Sequence, residues 1–352
     1  MTGKISDDAD KPSLDGSEKL AGAAGGSNYG ILLSTIAAWL ASLTQTLIGK
    51  TIDAASNTIS NLTTATFAAN VIDTDVALAA NSNARIATQK AVKAYVVASL
   101  MQNYLSGLTL STAGASASFS VALGQAAGDT NAAMMTLAGA YTKTTAPWAV
   151  GTGNGALDTG AIANSTWYHV WLIQRSDTGI VDVLISLSAT APTMPTSYDR
   201  KRRIGAMKTN GSAQWIKFVQ NGDDFTWDAP VSDVSATNPG TAAVTRTVSV
   251  PTGVKMEAKL SVAGAGLAGD PGPGAIYISD LAIADNAPAI AAFCTLSVYT
   301  PNSGAAIGQL AAPVRVMTNT SAQIRSRCQI SNANIQLNIN TFGWVDRRGR
   351  DG

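Results

Sequence analysis

The sequence is poor in charge. Of its 352 residues, 24 are Lys or Arg and 23 are Asp or Glu, 13% in all, which is about half the usual share. The net charge is +1, so no global field directs the chain to nucleic acid or to an anionic membrane. His169 is the only histidine. That excludes most His-based metal sites within one chain and leaves few Ser-His-Asp triads to build. Cysteine occurs twice, at Cys294 and Cys328. Two cannot form a disulfide framework, and their apolar surroundings predict buried thiols or at most one bridge. The polar start MTGKISDDADK lacks the apolar core of a secretory signal. Residues 30–49 carry no charge, yet Ser34, Thr35, Ser42, Thr44, Gln45 and Thr46 interrupt them and no basic flank orients them, so membrane insertion is not expected. No Gly-X-Ser-X-Gly elbow occurs, and AGAGLAGDPGPG (residues 263–274) lacks the Gly-Lys-Ser/Thr ending of a phosphate loop. The sequence therefore predicts no enzyme, no catalytic residue, no metal site and no cofactor.

What remains is rich in Ala, Gly, Ser, Thr and Asn. This composition suits β-structure with many turns, and chains that bury surface between subunits. The organising stretch is residues 81–100, NSNARIATQKAVKAYVVASL. Thr88 is a predicted N-cap, and no Gly or Pro follows through Leu100. Ala91, Val92, Tyr95, Val96 and Leu100 recur at spacings of three and four and are expected on one helix face. A helix of about twelve residues is marginal alone in water. Val92, Tyr95, Val96 and Leu100 are therefore expected to contact sister copies in a short parallel bundle.

The segment ARIATQKAVKAYV (residues 84–96) resembles the ATQKAVK-Y segment of many bacteriophage tail-fibre and related virion appendage proteins. The preceding GKTIDAASNTISNLTTATFAANVID (residues 49–73) resembles their stem repeat. Those proteins often have Pro where Ala87 stands, which makes the helix start less rigid here. The arrangement DG-E-L, GG, I-A-A-W in residues 1–50 resembles a leader of phage virion proteins. More loosely, residues 141–246, with WYHVWLI and YDRKRRIGAMKTNGSAQWIKFVQNGDDFTW, resemble a module of phage appendage proteins. The resemblance implies a homotrimeric fibre or spike, made in the host cytoplasm and carried on the virion. It implies attachment to other virion proteins through residues 1–50 and contact with a host surface glycan or protein. A head fibre, collar or decoration protein without a receptor stays open, as does a glycan depolymerase spike.

The expected fold is mainly β. Residues 1–50 form an N-terminal module: Leu20, Tyr29, Ile31 and Leu33 in a hairpin, then a helix capped by Ser34 or Thr35 and carrying Ile36, Trp39, Leu40 and Leu43. Residues 51–104 form the trimeric stem with one helix; sparse apolar residues such as Ile52, Ile59, Leu62 and Phe67 cannot close a core within one chain, though a flexible linker is the plainer alternative. Residues 105–352 form an antiparallel sandwich of jelly-roll type, with a division into two lobes open near residue 238. Within it, WYHVWLIQR (167–175), the turn Ser176-Asp177-Thr178-Gly179 and IVDVLISL (180–187) predict a hairpin whose first strand is central. Asn210-Gly211 and Asn221-Gly222-Asp223 predict further turns.

Arg200, Lys201, Arg202 and Arg203 are the strongest charge run. Such a run can bind phosphate or sulfated glycan by charge-assisted contacts. It can equally be a solvated loop, or pair with Asp199, Asp223 or Asp224 between subunits. Trp148, Trp227 and Trp344 flank turns and are the candidate exposed rings for sugar stacking, with Trp148 and Trp227 placed beside the Arg run as ligand candidates. Asp223, Asp224 and Asp228 make a small acidic cluster that fits no EF-hand spacing. Arg347, Arg348 and Arg350 read as a basic tail.

Overall fold

The structure, a computed structural model, describes residues 19–24, 27–43, 63–79, 83, 85–100, 102–267, 270, 272–298 and 309–350. For residues 19–24, 27–31, 64 and 97–100 it describes the backbone alone. The chain divides into two compact units, residues 1–69 and residues 70–352.

In the first unit, β1 (Lys19–Ala24) and β2 (Ser27–Leu32) pair antiparallel from Lys19↔Leu32 to Ala24↔Ser27. This is the expected hairpin for Leu20, Tyr29 and Ile31, whereas Leu33 begins the helix that follows. Helix α1 (Leu33–Ser42) follows directly, with Leu32 at its N-cap and no side-chain cap. Ser34 and Thr35 lie inside the first turn, because β2 runs straight into the helix. Trp39 is 60% exposed and no described residue of α1 is buried. Residues 44–62, which include the first part of the expected stem from residue 51, lie outside the described residues.

The second unit opens with β3 (Ile72–Asp73) and β4 (Ile86–Ala87), a short parallel pair. Helix α2 (Gln89–Leu100) follows, and Thr88 Oγ1 accepts the Ala91 amide at 3.2 Å. The predicted cap and helix are both present. Among the described residues nineteen strands then succeed one another, β5 to β23 in the order that follows. They are β5 (Leu105–Gly107), β6 (Leu110–Ser111), β7 (Ser118–Val121), β8 (Gly124–Ala127), β9 (Met134–Leu137), β10 (Tyr141–Pro147), β11 (Gly155–Leu157), β12 (Trp167–Gln174), β13 (Val181–Ser186) and β14 (Arg200–Lys208). After these come β15 (Phe218–Asn221), β16 (Asp224–Thr237), β17 (Val244–Thr247), β18 (Glu257–Gly266), β19 (Gly274–Ser279), β20 (Leu296–Val298), β21 (Gln309–Met317), β22 (Gln323–Cys328) and β23 (Ile335–Val345).

They form a seven-stranded sheet β14-β12-β13-β11-β10-β7-β6 and a five-stranded sheet β15-β16-β23-β18-β21. A four-stranded sheet β17-β22-β19-β20 and a three-stranded sheet β5-β8-β9 complete the unit. The fold is mainly β and sandwich-like. Within these four sheets the described pairing is antiparallel except where β11 lies parallel to β10 and β13.

The predicted hairpin is β12–β13, with β12 between β13 and β14. Every residue of β12 is buried, as its two apolar faces require. Gly179 holds φ +74 in the turn and donates to the Arg175 carbonyl at 2.9 Å. The Asn221↔Asp224 pair closes the second predicted turn. The Asn210-Gly211 turn also forms, but the chain after it makes isolated bridges, Thr209↔Trp215 and Ser116↔Trp215, and no named strand before β15 pairs with β16.

The structure bears on one open point and corrects one expectation. Asn238-Pro239-Gly240 does not separate two lobes: β16, before it, pairs with β23, after it, from Thr237↔Gln336 to Asp224↔Val345, and one core cluster contains residues from both sides, Trp167 and Phe225 with Val262 and Trp344 among them. Only one of the thiols is buried: Cys328 lies in that core, Cys294 is exposed, and the two are unbonded. Burial pushes the Cys328 thiol up to about 11.

Candidate functional site

Arg200, Lys201, Arg202 and Arg203 do not form a loop. They open β14, the edge strand of the seven-stranded sheet, opposite Gln174, Ile173, Leu172 and Trp171 of β12. A bulge follows between Arg203 and Gly205. Bulges of this kind re-aim side chains at strand edges. Edge strands commonly carry charge, since it discourages pairing with other chains. The four side chains have different fates. Arg200 Nη1 donates to Gln174 Oε1 at 3.2 Å, and Lys201 pairs with Asp129 at 2.6 Å. Arg202 and Arg203 are buried, 2% and 5% exposed.

The segment after β23 lies over these two arginines. Arg203 makes a bidentate pair with Asp346, at 2.8 and 2.6 Å, and its Nε donates to His169 Nδ1 at 2.9 Å. Asp346 is fastened in turn: its amide donates to the Asp223 carbonyl at 2.9 Å, and its Oδ1 accepts the Arg348 amide at 2.8 Å. Burial works to raise the Asp346 carboxyl, but the Arg203 charge and hydrogen bonds overcome it and hold the group below its ordinary value. His169 is pushed down to about 3, first by burial and then by the Arg203 charge. It is a neutral imidazole accepting a hydrogen bond.

Arg348 pairs with Asp223 at 3.1 Å and donates from Nη1 to the Gly107 carbonyl at 3.2 Å. Arg350 also pairs with Asp223. The expected basic tail is thus packed against the chain through residue 350, and Asp223 is its anchor.

Arg202 is the exception. Its Nε donates to the Arg348 carbonyl and its Nη1 to Asn103 Oδ1, each at 3.2 Å. Its Nη2 is buried and has no partner. Among the described residues no carboxylate forms an ion pair with it. Burial lowers its pKa, and the Arg350, Arg348 and Arg203 charges lower it further while Asp129 opposes them. A cavity of about 560 Å³ adjoins it, with Trp171, Met256, Lys255, Arg347 and Arg348 in its wall. Five cationic side chains line that cavity against the carboxylates of Asp129 and Asp346. The arrangement offers fixed donors and positive charge, which can hold an anion.

The candidate rings resolve differently. Trp227 is 3% exposed and Trp344 fully buried. They sit 4.9 Å apart at the centre of the core, with Trp167 at 5.6 and 5.3 Å from them. Trp227 Nε1 donates to the Ser249 carbonyl at 3.0 Å. The turns beside them had pointed to the surface, but both lie on the five-stranded sheet's inner face. Trp148 is half-buried, its ring edge-on to Tyr198 at 5.2 Å and 5.6 Å from the Lys143 ammonium. None of the three is an open platform for a sugar. Asp224 of the acidic cluster pairs with Lys259 at 2.7 Å and Asp228 with Lys217 at 3.0 Å, so that cluster is dispersed.

On α2 the predicted stripe splits. Ala91 is fully buried, whereas Val92, Tyr95 and Val96 are 44%, 46% and 37% exposed. The small residue faces inward and the large ones outward. The Leu100 side chain lies outside the described residues.

Sequence reasoning found Arg202 and Arg203 but not their setting. His169 and Asp346 were missed. The available signal was a lone histidine in a strand with apolar neighbours on both sides, which must be buried and hydrogen-bonded. Among the described residues no cluster of three or more His, Cys, Asp or Glu is placed to hold a metal, and no helix is long and apolar enough to cross a membrane. No known protein family pattern matches the chain, and no curated protein matches it either.

Proposed function

We propose that the chain is a structural protein of a bacteriophage virion, a homotrimeric tail fibre or spike. Residues 1–50 attach it to the particle, and the β-rich unit meets the host surface. The observation that carries this reading is the outward stripe Val92, Tyr95 and Val96 on a helix of twelve residues. A helix this short gains little from its own backbone and needs a packed face. The described residues bury Ala91 fully and leave the larger side chains to water. Three copies in parallel would bury those side chains against one another. The low charge of the chain suits burial between subunits. Three weak sites on one stem would then act together, with an effective concentration that a single site lacks.

The test is the mass of the full chain at micromolar concentration, by light scattering after gel filtration. The expected result is a trimer that Tyr95→Glu with Val96→Asp converts to monomer. A wild-type chain that stays a folded monomer overturns the proposal. Adsorption of the intact trimer to host cells then separates a receptor-binding fibre from a structural collar.

A further inference from the structure

We infer that the cavity beside Arg202 binds the phosphate group of a phosphorylated sugar. Two independent observations carry this. First, the Arg202 guanidinium is 2% exposed, has no carboxylate partner among the described residues, and holds a buried Nη2 with no acceptor. A buried N–H without a partner is rare and costly, and a buried charge without a counter-ion is more so. An oxyanion supplies both the acceptor and the charge. Second, the excess of cations is local to this cavity. Arg203 and Lys201 are matched by Asp346 and Asp129, and Asp223 serves both Arg348 and Arg350. One carboxylate against two guanidinium groups leaves that corner positive as well. The planar fork of a guanidinium matches the spacing of phosphate oxygens.

The wall and the volume extend the identification from phosphate to sugar phosphate. About 560 Å³ far exceeds a lone phosphate and falls in the range of small-molecule pockets. Trp171 and Met256 give one part of the wall apolar character. A sugar ring has an apolar face to set against such a wall.

On the appendage reading the phosphorylated sugar would belong to a host surface glycan, and that source rests on the reading. The preference for a sugar phosphate does not, so the two fail separately. The experiment is calorimetric titration of the full chain at constant ionic strength with inorganic phosphate, glucose 6-phosphate and glucose. Saturable binding of both phosphates, tighter for glucose 6-phosphate, with none for glucose, is expected. Arg202→Lys keeps a charge but loses the fork and should weaken binding at least tenfold. Lys217→Met, on an exposed pair with Asp228, should bind as wild type does. No saturable heat with either phosphate overturns the inference, as does equal affinity in Arg202→Lys. Binding only in Asp351→Asn also overturns it, since a carboxylate of the chain would then fill the site. Should Arg202→Lys fail to fold, the melting temperature of wild type against phosphate at constant ionic strength decides: no rise refutes the proposal. A monomeric chain that still binds glucose 6-phosphate would remove the fibre reading and keep the pocket.

Discussion

Two sites in the same β-unit bury cations, and they do so in opposite ways. Lys143 on β10 and Asp182 on β13 are both fully buried, 2.9 Å apart. The ammonium has three protons and finds three acceptors: Asp182, the Ala149 carbonyl at 2.8 Å and the Gly151 carbonyl at 2.9 Å. The carboxylate accepts the Gly151 amide at 2.7 Å and the Val183 amide at 2.6 Å. Charge and hydrogen bonds both close, and the loop between β10 and β11 is tied to the sheet as a result. At Arg202 neither closes. The guanidinium has an orphaned Nη2, and its described neighbours include three further arginines whose charges oppose its own. The first site is complete within the chain. The second is complete only with something from outside. The same physics of burial thus separates a structural charge from one held ready for a partner.

Breaking the complete site should have the largest effect. Lys143→Met leaves Asp182 buried without its counter-ion. Removal of one partner of a buried pair costs about 3–5 kcal/mol, read as a fall in the urea midpoint. Lys143→Met with Asp182→Val removes both charges and should recover most of that loss, because a buried pair contributes little over an apolar pair of like volume. If the double variant is as unstable as the single, the pair is not the self-sufficient unit described.

The sequence made some of this legible and hid the rest for definable reasons. Strand β12 was readable because apolar residues on both faces admit only a central position, and the turn after it carries its own chemistry. Helix α2 was readable from Thr88 and the unbroken run behind it. Strand β14 was not. Its first four residues are all basic, and charge density suggests a loop wherever the strand's place in the sheet is unknown. Position on the edge, which a single sequence does not encode locally, makes such a strand acceptable. Trp227 and Trp344 were misplaced for a related cause. Each stands near a turn in sequence, but each is a strand residue, of β16 and of β23, on the side that the core buries. The partnership of Arg203 with Asp346 joins residues 143 positions apart, and only the topology brings them together.

An intermediate effect tests the matched half of the arginine site. His169 is held neutral, with its pKa pushed down to about 3 by burial and by Arg203. Above pH 6.5 the imidazole is neutral in the folded and unfolded chain alike, and this contribution to stability is fully present. As pH falls below 6.5 the unfolded chain takes up a proton that the folded chain refuses. Stability is then lost at about 1.4 kcal/mol per pH unit until the folded value near 3 is reached. Replacement by Gln retains an acceptor for Arg203 and does not titrate. The difference in unfolding free energy between wild type and His169→Gln should therefore change by about 2–3 kcal/mol between pH 7 and pH 4.5. Parallel pH profiles would show that protonation of His169 does not oppose the fold.

The smallest stability effect should come from the incomplete site itself, and it sharpens the contrast most. Arg202→Met loses the hydrogen bonds to the Arg348 carbonyl and to Asn103, each worth about 1 kcal/mol net. It also removes a buried charge without a described counter-ion, and with it the repulsion from Arg348, Arg350 and Arg203. Apolar replacement of poorly compensated buried charge is commonly neutral or stabilising. The two contributions oppose each other, so the urea midpoint should correspond to a change within about 1 kcal/mol. A loss as large as that of Lys143→Met would mean that Arg202 is held by the fold as tightly as Lys143 is. The distinction between a charge that completes the structure and a charge that awaits an anion would then fail at its own centre.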